Sequence, residues 1–300
     1  VGTLALNAHA KINLCLRVYG RRADGFHNID SIFVPVDLAD RVELTLREGG
    51  EVGLTCSGPF DDVPADHANL AWRAAASFIE RAGVSFGVDI RLSKKIPPGG
   101  GLGGGSSDAA AVLRGLNRLA GPAALAEDAL YGLAADLGSD VPFFLLGCAA
   151  RVRGRGELLE RIPRPRGCFF LLVFPDVSIS TAWAYGALGR PPTGQNGEEH
   201  SGSLTNARGF SMLTCSGDLS RPVQAWAREL HNDFEQVVFS AHPSLRDLRR
   251  KILECGAQGA VMSGSGSTLV GVFDDLDAAR RGAAELSETD TAVVAPLHGD

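Results

Sequence analysis

Lysine is scarce in this 300-residue chain, which has only Lys11, Lys94, Lys95 and Lys251. Arginine carries most of the positive charge, so a lysine inside a motif is less easily dismissed as surface decoration. The formal charge of -6 at pH 7 argues against a general nucleic-acid binder, although local positive clusters can hold a small anionic substrate. The six cysteines (Cys15, Cys56, Cys148, Cys168, Cys215 and Cys255) form no Cys-x-x-Cys pair and lie mostly in apolar stretches. That spacing argues against a zinc site or a disulfide scaffold and leaves buried thiols as the expected state. No apolar run approaches ~18 uninterrupted residues and no charged leader precedes one, so the expectation is a cytoplasmic protein without a membrane span. Gly-Lys-Ser/Thr, His-Arg-Asp and Asp-Phe-Gly are also missing, which removes the Walker-type loop and the protein-kinase catalytic signatures.

What is present is a glycine-saturated loop. Residues 97 to 110 read Pro-Pro-Gly-Gly-Gly-Leu-Gly-Gly-Gly-Ser-Ser-Asp-Ala-Ala and lead directly into an amphipathic helix. Glycines let successive backbone N–H groups converge on one point, and the helix start adds unpaired N–H groups and the positive end of its dipole. Phosphate oxygens are the natural guest. Ser106 and Ser107 are expected to cap the helix, and Ala109, Val112, Leu113, Leu116 and Ala120 recur at the spacing of one buried face. A flexible linker is the competing reading, but a linker is not usually followed at once by a capped apolar helix. The stretch also satisfies G-x-G-x-x-G formally. With no clear ribose-binding acid after a second strand, that is weak support for a dinucleotide site.

With 45% hydrophobic residues the chain can bury a large core, and its length suits two domains, placed here at 1–154 and 155–300. Alternation predicts strands over 4–19, 30–36, 41–47 and 52–56, then a helix from Asn69 to about Arg81 and a strand over 88–92. After the glycine loop and its helix, a second helix is expected over 123–136, followed by apolar strand segments at 143–146 and 148–152 on either side of Gly147. The second half reads as a strand at 168–174, a helix at 243–255, strands at 259–262 and 268–273, a helix at 275–287 and a strand near 291–295. That order matches a split β-α-β unit. Residues 191–218 are rich in polar and small residues and read as a mobile surface loop.

Several constellations could carry chemistry. His9, Lys11 and Asn13 share one face of the first strand, a pattern that also describes the solvated side of an ordinary antiparallel strand. Asp140, in Gly138-Ser139-Asp140-Val141-Pro142, is a candidate base or else a capping aspartate. Gly259 to Ser267 forms a second glycine-rich turn that could press backbone against phosphates or simply connect two strands. Gly83-Val84-Ser85-Phe86-Gly87 matches G-x-S-x-G, but it joins a helix to a strand, the reverse of a nucleophile elbow. Glu198, Glu199 and His200 read as a solvated polar segment in preference to a metal site.

Taken together, the motifs at 8–14, 97–110 and 259–268 resemble, in order, those of the GHMP kinase superfamily of small-molecule kinases. Ala8 to Leu14, Arg22-Ala23-Asp24-Gly25-Phe26-His27 and Leu137 to Phe144 are most similar to the branch acting on 4-diphosphocytidyl-2-C-methyl-D-erythritol. The resemblance implies an α+β, two-domain fold, with an N-terminal mixed α/β nucleotide-binding domain and a C-terminal split β-α-β (ferredoxin-like) domain. It implies ATP and Mg²⁺, with the ATP phosphates on Pro97, Gly99, Gly100, Gly101, Leu102, Gly103, Gly104, Gly105, Ser106 and Ser107. Asn69 is a further nucleotide contact, and Ser106 or Ser107 is a candidate metal ligand. Asp140 would take the proton of the C2 hydroxyl, Lys11 would stabilise developing charge beside it, and Asn13 would help hold the substrate. The cytidyl group would meet Phe26, His27 and Tyr185, with Thr181, Gly264 and Ser265 near the substrate. Phe26 stands where tyrosine is commoner, and Ser265 where threonine is. The expected partner is the small cytidyl diphosphate substrate, with no nucleic acid or membrane, and the expected state is a monomer or weak homodimer. A homoserine- or mevalonate-type kinase and a non-catalytic nucleotide-binding regulator remain alternatives on sequence alone.

Overall fold

The computed structural model describes residues 3–192 and 218–297. The expected surface loop at 191–218, including Glu198, Glu199 and His200, lies almost wholly outside them. The described residues form two compact units: 3–12, 35–148 and 297 make the first, and 13–34, 149–192 and 218–296 the second. The division is discontinuous and does not follow a single cut at 154. Two strands run through both units, β1 (Thr3–Arg21) and β2 (His27–Glu48). β2 merges the separate strands expected at 30–36 and 41–47, because Val34, Val36, Val42 and Leu44 are all buried and nothing between them breaks the extended backbone.

In the first unit β3 (Val52–Ser57) pairs parallel with β4 (Phe86–Ser93), and β4 pairs antiparallel with β2 from Arg41 to Glu48. Helix α1 (Leu70–Ala82) is capped by Asn69, whose side chain accepts the Ala71 N–H, and is closed by Gly83 in the left-handed region. It packs on α2 (Gly104–Leu119), and its buried residues are Ala71, Ala74, Ala75 and Phe78. All five residues expected on the buried face of α2 are buried. The capping expectation is corrected: the helix starts after Gly103, which makes no side-chain cap, so Ser106 and Ser107 lie inside its first turn. Next come α3 (Glu127–Leu137) and α4 (Val141–Leu146). The latter replaces an expected strand at 143–146. Proline in its first turn and a left-handed Gly147 at its end are helix-boundary signals, and they outweigh the strand-like apolar run.

The second unit begins with β5 (Ala150–Gly154) and β6 (Leu158–Arg161), and β5 also pairs antiparallel with Ile29 to Phe33 of β2. It continues with β7 (Phe169–Phe174), α5 (Thr181–Leu188), α6 (Val223–Trp226), β8 (His231–Asn232), α7 (Phe234–Ala241) and α8 (Pro243–Glu254). Strands β9 (Gly259–Met262) and β10 (Leu269–Phe273), helix α9 (Leu276–Glu285) and strand β11 (Asp290–Val294) complete it. The all-antiparallel order β11-β7-β10-β9, with α8 and α9 packed against it, is the expected split β-α-β arrangement. Cys56, Cys148, Cys168 and Cys255 are free thiols, whereas Cys15 is disulfide-bonded, contrary to the expectation of thiols throughout.

Gly259 opens β9, and a Cβ there would lie 2.1 Å from the Ala227 carbonyl oxygen, an unyielding backbone atom. Gly259→Ala should therefore cost about 1–3 kcal/mol as overpacking. Urea unfolding of the two proteins measures this, and equal midpoints would show that the strand can shift freely.

Candidate functional site

The glycine loop in the first unit alternates left-handed residues: Gly99, Gly101 and Gly103 have φ of 71°, 77° and 71°. Such alternation turns successive N–H groups toward a common side, and α2 follows at once with its unpaired first-turn N–H groups. Lys11 is fastened to this loop twice. Its backbone N–H donates to the Leu102 carbonyl at 3.0 Å, and its Nζ donates to the Gly101 carbonyl at 3.0 Å. Nζ also lies 3.7 Å from Oδ2 of Asp140. Lys11 is only 3% exposed, so the solvated-strand reading fails. Burial lowers its pKa from the ordinary lysine value, with Asp140 opposing that shift.

Asp140 occupies the residue before α4 but makes no side-chain capping bond. Its carboxylate faces Lys11 and is 30% exposed, which leaves it accessible to a ligand. Gly103 completes the arrangement sterically. A Cβ there would sit 2.7 Å from the Phe144 ring and 3.3 Å from Cε of Lys11. Ser107 is buried and its hydroxyl donates to the His9 carbonyl at 2.7 Å, whereas Ser106 is half-buried. The side chain of Asn69 serves the fold: Oδ1 caps α1 and Nδ2 donates to the Pro64 carbonyl at 2.8 Å.

Below the loop lies a cluster that the sequence did not single out. The buried ammonium of Lys94 bridges Asp40 and Asp108, bonding the latter at 2.7 Å. Asp40 also accepts the backbone N–H groups of Lys95 and Ile96, so the stem of the loop and the first two turns of α2 share one charged clasp. Burial pushes the Asp108 carboxyl up to about 7, with Lys94 opposing and Asp40 adding to the shift. The only available signal was positional: Lys94 precedes the Pro-Pro-Gly stretch and Asp108 follows its serines.

In the second unit the glycine turn after β9 is held by two asparagines. Asn13 accepts the Gly264 N–H at 3.0 Å and donates to Ser31 Oγ at 2.9 Å. Asn232, absent from the sequence reading, donates to the carbonyls of Met262 at 2.7 Å and Gly264 at 2.8 Å and accepts the Phe234 N–H at 2.9 Å. Thr181 and Ser265 meet through their hydroxyls at 2.8 Å. His27 stacks on Tyr185 with centroids 5.1 Å apart, and Tyr185 meets Phe234 edge-on at 4.8 Å. Phe26 is 48% exposed and lies under the guanidinium of Arg155. The His27 Nδ1 lies 2.9 Å from the Tyr19 carbonyl, which can only accept, so Nδ1 carries the proton and Nε2 of the neutral ring is an acceptor.

Among the described residues no group of three or more His, Cys, Asp and Glu is placed to hold a metal ion. None of the helices described is long and apolar enough to cross a membrane.

Residues 69–148 match the model of the GHMP kinase N-terminal domain, and residues 215–291 match that of the GHMP kinase C-terminal domain. This chain belongs to the GHMP kinase family. A 4-diphosphocytidyl-2-C-methyl-D-erythritol kinase from Syntrophotalea carbinolica is 40% identical over 281 residues, covering 93% of each chain. The protein of the same name from a Synechococcus species is 42% identical, covering 91% of this chain and 86% of that protein. Among solved structures, a 4-(cytidine 5'-diphospho)-2C-methyl-D-erythritol kinase superposes with a TM-score of 0.75 at 34% identity, covering 98% of this chain and all of the other. A homoserine kinase from Cytophaga hutchinsonii superposes with a TM-score of 0.72 at 20% identity, over 98% of this chain and 95% of the other, and shares the GHMP kinase fold.

The raised Asp108 value makes a pH prediction for this GHMP kinase. Between the ordinary carboxylate value and about 7 the folded chain holds a proton that the unfolded chain has released. Asp108 therefore favours the fold at acid pH, and that contribution is lost as pH rises through about 7. Asp108→Asn removes it, so the Tm of the variant should gain on that of the native chain between pH 5 and 8. Parallel Tm curves would count against this reading.

Proposed function

We infer that this GHMP kinase transfers the γ-phosphate of ATP to the C2 hydroxyl of 4-diphosphocytidyl-2-C-methyl-D-erythritol, giving the 2-phosphate and ADP in non-mevalonate isoprenoid precursor biosynthesis. The observation that carries the mechanism is the meeting of Lys11, Asp140 and the glycine loop. A buried ammonium touches both the loop and a partly exposed carboxylate. In this reading the phosphates lie along Pro97 to Ser107, where backbone N–H groups and the start of α2 offset their charge. Asp140 accepts the hydroxyl proton as the substrate oxygen bonds to the γ-phosphorus and the bond to the β-phosphate oxygen breaks. Lys11 holds the acid in place against the loop and stabilises negative charge as it develops. Positioning supplies most of the acceleration in such a transfer.

The second unit supplies recognition. His27 Nε2 accepts from the exocyclic amino group of cytosine, Phe26 and Tyr185 provide ring faces, and Thr181 and Ser265 offer hydroxyls. The side chains of Asn13 and Asn69 are already bonded within the fold, so their part in ligand binding is to hold the glycine turn at 262–264 and the start of α1. The donor set fits a Mg²⁺ ion that arrives with ATP and keeps several waters, because no dedicated carboxylate cage is present among the described residues. The Ser106 hydroxyl would join the ATP phosphates in holding it, since that of Ser107 is bonded to His9. Bound there, the ion would neutralise phosphate oxygens.

Purified protein with ATP and Mg²⁺ should turn over the cytidyl alcohol and not homoserine or mevalonate, with the phosphorylated product read directly. Asp140→Asn should bind ATP normally and lose about 10²- to 10⁴-fold in kcat, the usual scale of a general base. Turnover of another alcohol alone would overturn the substrate, and an unimpaired Asp140→Asn would overturn the base.

A further inference from the structure

The turn after β9 has its backbone groups engaged as far as Gly264. The Met262 N–H donates to Glu235 Oε1 at 2.8 Å, and its carbonyl accepts from Asn232 Nδ2 at 2.7 Å. The Ser263 N–H donates to the Thr268 carbonyl at 2.9 Å, and the Ser263 carbonyl accepts the Gly266 N–H at 3.0 Å. Gly264 is held on both sides by amides: its N–H donates to Asn13 Oδ1 at 3.0 Å and its carbonyl accepts from Asn232 Nδ2 at 2.8 Å. The next N–H, that of Ser265, meets no acceptor among the described residues, although Ser265 is only 9% exposed. Backbone donors in such surroundings are almost always paired, and an exception calls for a physical cause.

Asn232 decides which way that N–H faces. Across a trans peptide the C=O and N–H point in opposite directions, so holding the Gly264 carbonyl on the buried Asn232 amide turns the Ser265 N–H away from it. Asn232 is itself fixed, because its Nδ2 serves two carbonyls and its Oδ1 accepts the Phe234 N–H. The hydroxyl of Ser265 meets that of Thr181, the first residue of α5. Tyr185 follows Thr181 by four residues on the same face of that helix, about 6 Å along its axis. A ligand whose base lies against Tyr185 therefore brings its sugar and diphosphate toward Thr181 and Ser265. Building on the function inferred above, we propose that Asn232 is a positioning residue for the cytidyl substrate: through the Gly264 carbonyl it keeps the Ser265 N–H turned to donate to an oxygen of the diphosphate. A hydrogen bond to a charged oxygen is of the stronger class, and a backbone donor already held in place needs no side-chain ordering to make it. What Asn232 contributes is felt by the phosphate and not by the base, so it separates CDP from cytidine.

Amide NMR of the intact protein carrying isotope-labelled serine tests this without a substitution in the measured sample, the Ser265 signal being assigned by its absence from Ser265→Ala. That amide proton should move downfield on addition of CDP and little on addition of cytidine. Asn232→Ala, and Asn232→Asp, which sets an acceptor against two carbonyls, should weaken CDP about tenfold or more in calorimetric titration, the scale of one hydrogen bond to a charged group. Cytidine affinity should stay within about threefold. In turnover both variants should raise KM for the cytidyl substrate while KM for ATP stays within about twofold. Should either variant fail to fold, the NMR response of the native protein decides alone. A Ser265 amide that ignores bound CDP, or equal weakening of cytidine and CDP, overturns the proposal and leaves the functional reading standing. A native protein that phosphorylates some other alcohol and binds neither cytidine nor CDP overturns the functional reading, and this proposal with it.

Discussion

One buried ammonium constrains the first unit. An ammonium taken out of water must be compensated on every side, and Lys11 finds its partners in the Gly101 carbonyl and the Asp140 carboxylate. The same residue's backbone holds Leu102. The loop, the first strand and the residue before α4 are therefore fixed by one side chain and its own peptide group. Gly103 follows from that constraint, since any larger residue would collide with the Phe144 ring and press on the lysine stem. The glycine richness of the loop thus has two origins: left-handed backbone that aims N–H groups, and room for the lysine.

The two glycine turns are stiffened by different chemistry. The stem of the first rests on a charged clasp, Lys94 between Asp40 and Asp108, where removal of the lysine would leave two buried carboxyl groups without their cation. The second, at 262–264, rests on neutral amides from Asn13 and Asn232. Neutral networks of this kind are little affected by salt or pH, and in a low-dielectric surrounding they specify one geometry because each partner would be costly to leave unmet. The stem of the loop expected to face phosphate thus carries a titratable group in Asp108, and the turn in the second unit meets one at its start, where the Glu235 carboxylate, its pKa raised by burial, accepts the Met262 N–H.

Much of this was legible in the sequence. Glycine density, the scarcity of lysine and helical periodicity pointed to the loop, to Lys11 and to α2, and the order of the last strands and helices gave the split β-α-β unit. Asp140 was visible only as a candidate, because a carboxylate after a glycine turn is as suited to capping as to chemistry, and its missing cap bond appears only in three dimensions. The strand expected at 143–146 failed because an apolar run carries no period, and the deciding signals were Pro142 and Gly147. Asn232, Asp40 and Asp108 were invisible for a different reason. Each acts through partners far off in sequence, such as the 54 residues from Asp40 to Lys94, and no local pattern records such a pairing. The stacking of His27 on Tyr185 and the placement of Arg155 over Phe26 are likewise products of tertiary proximity.

The discontinuous units bear on how the chain can be made. β1 and β2 each serve both units, and the second unit draws on residues from 13 to 296. A ribosome delivers the first two strands early, but β8, which pairs with Cys15 and Leu16, emerges more than two hundred residues later. Until then the inner portion of β1 has an unsatisfied edge, the kind of surface that invites pairing with a foreign strand. The first unit has all of its described residues but 297 once residue 148 has been made, whereas the second waits for residues up to 296. The early strand β1 therefore waits for β8, at His231–Asn232, before its Cys15–Leu16 edge is paired.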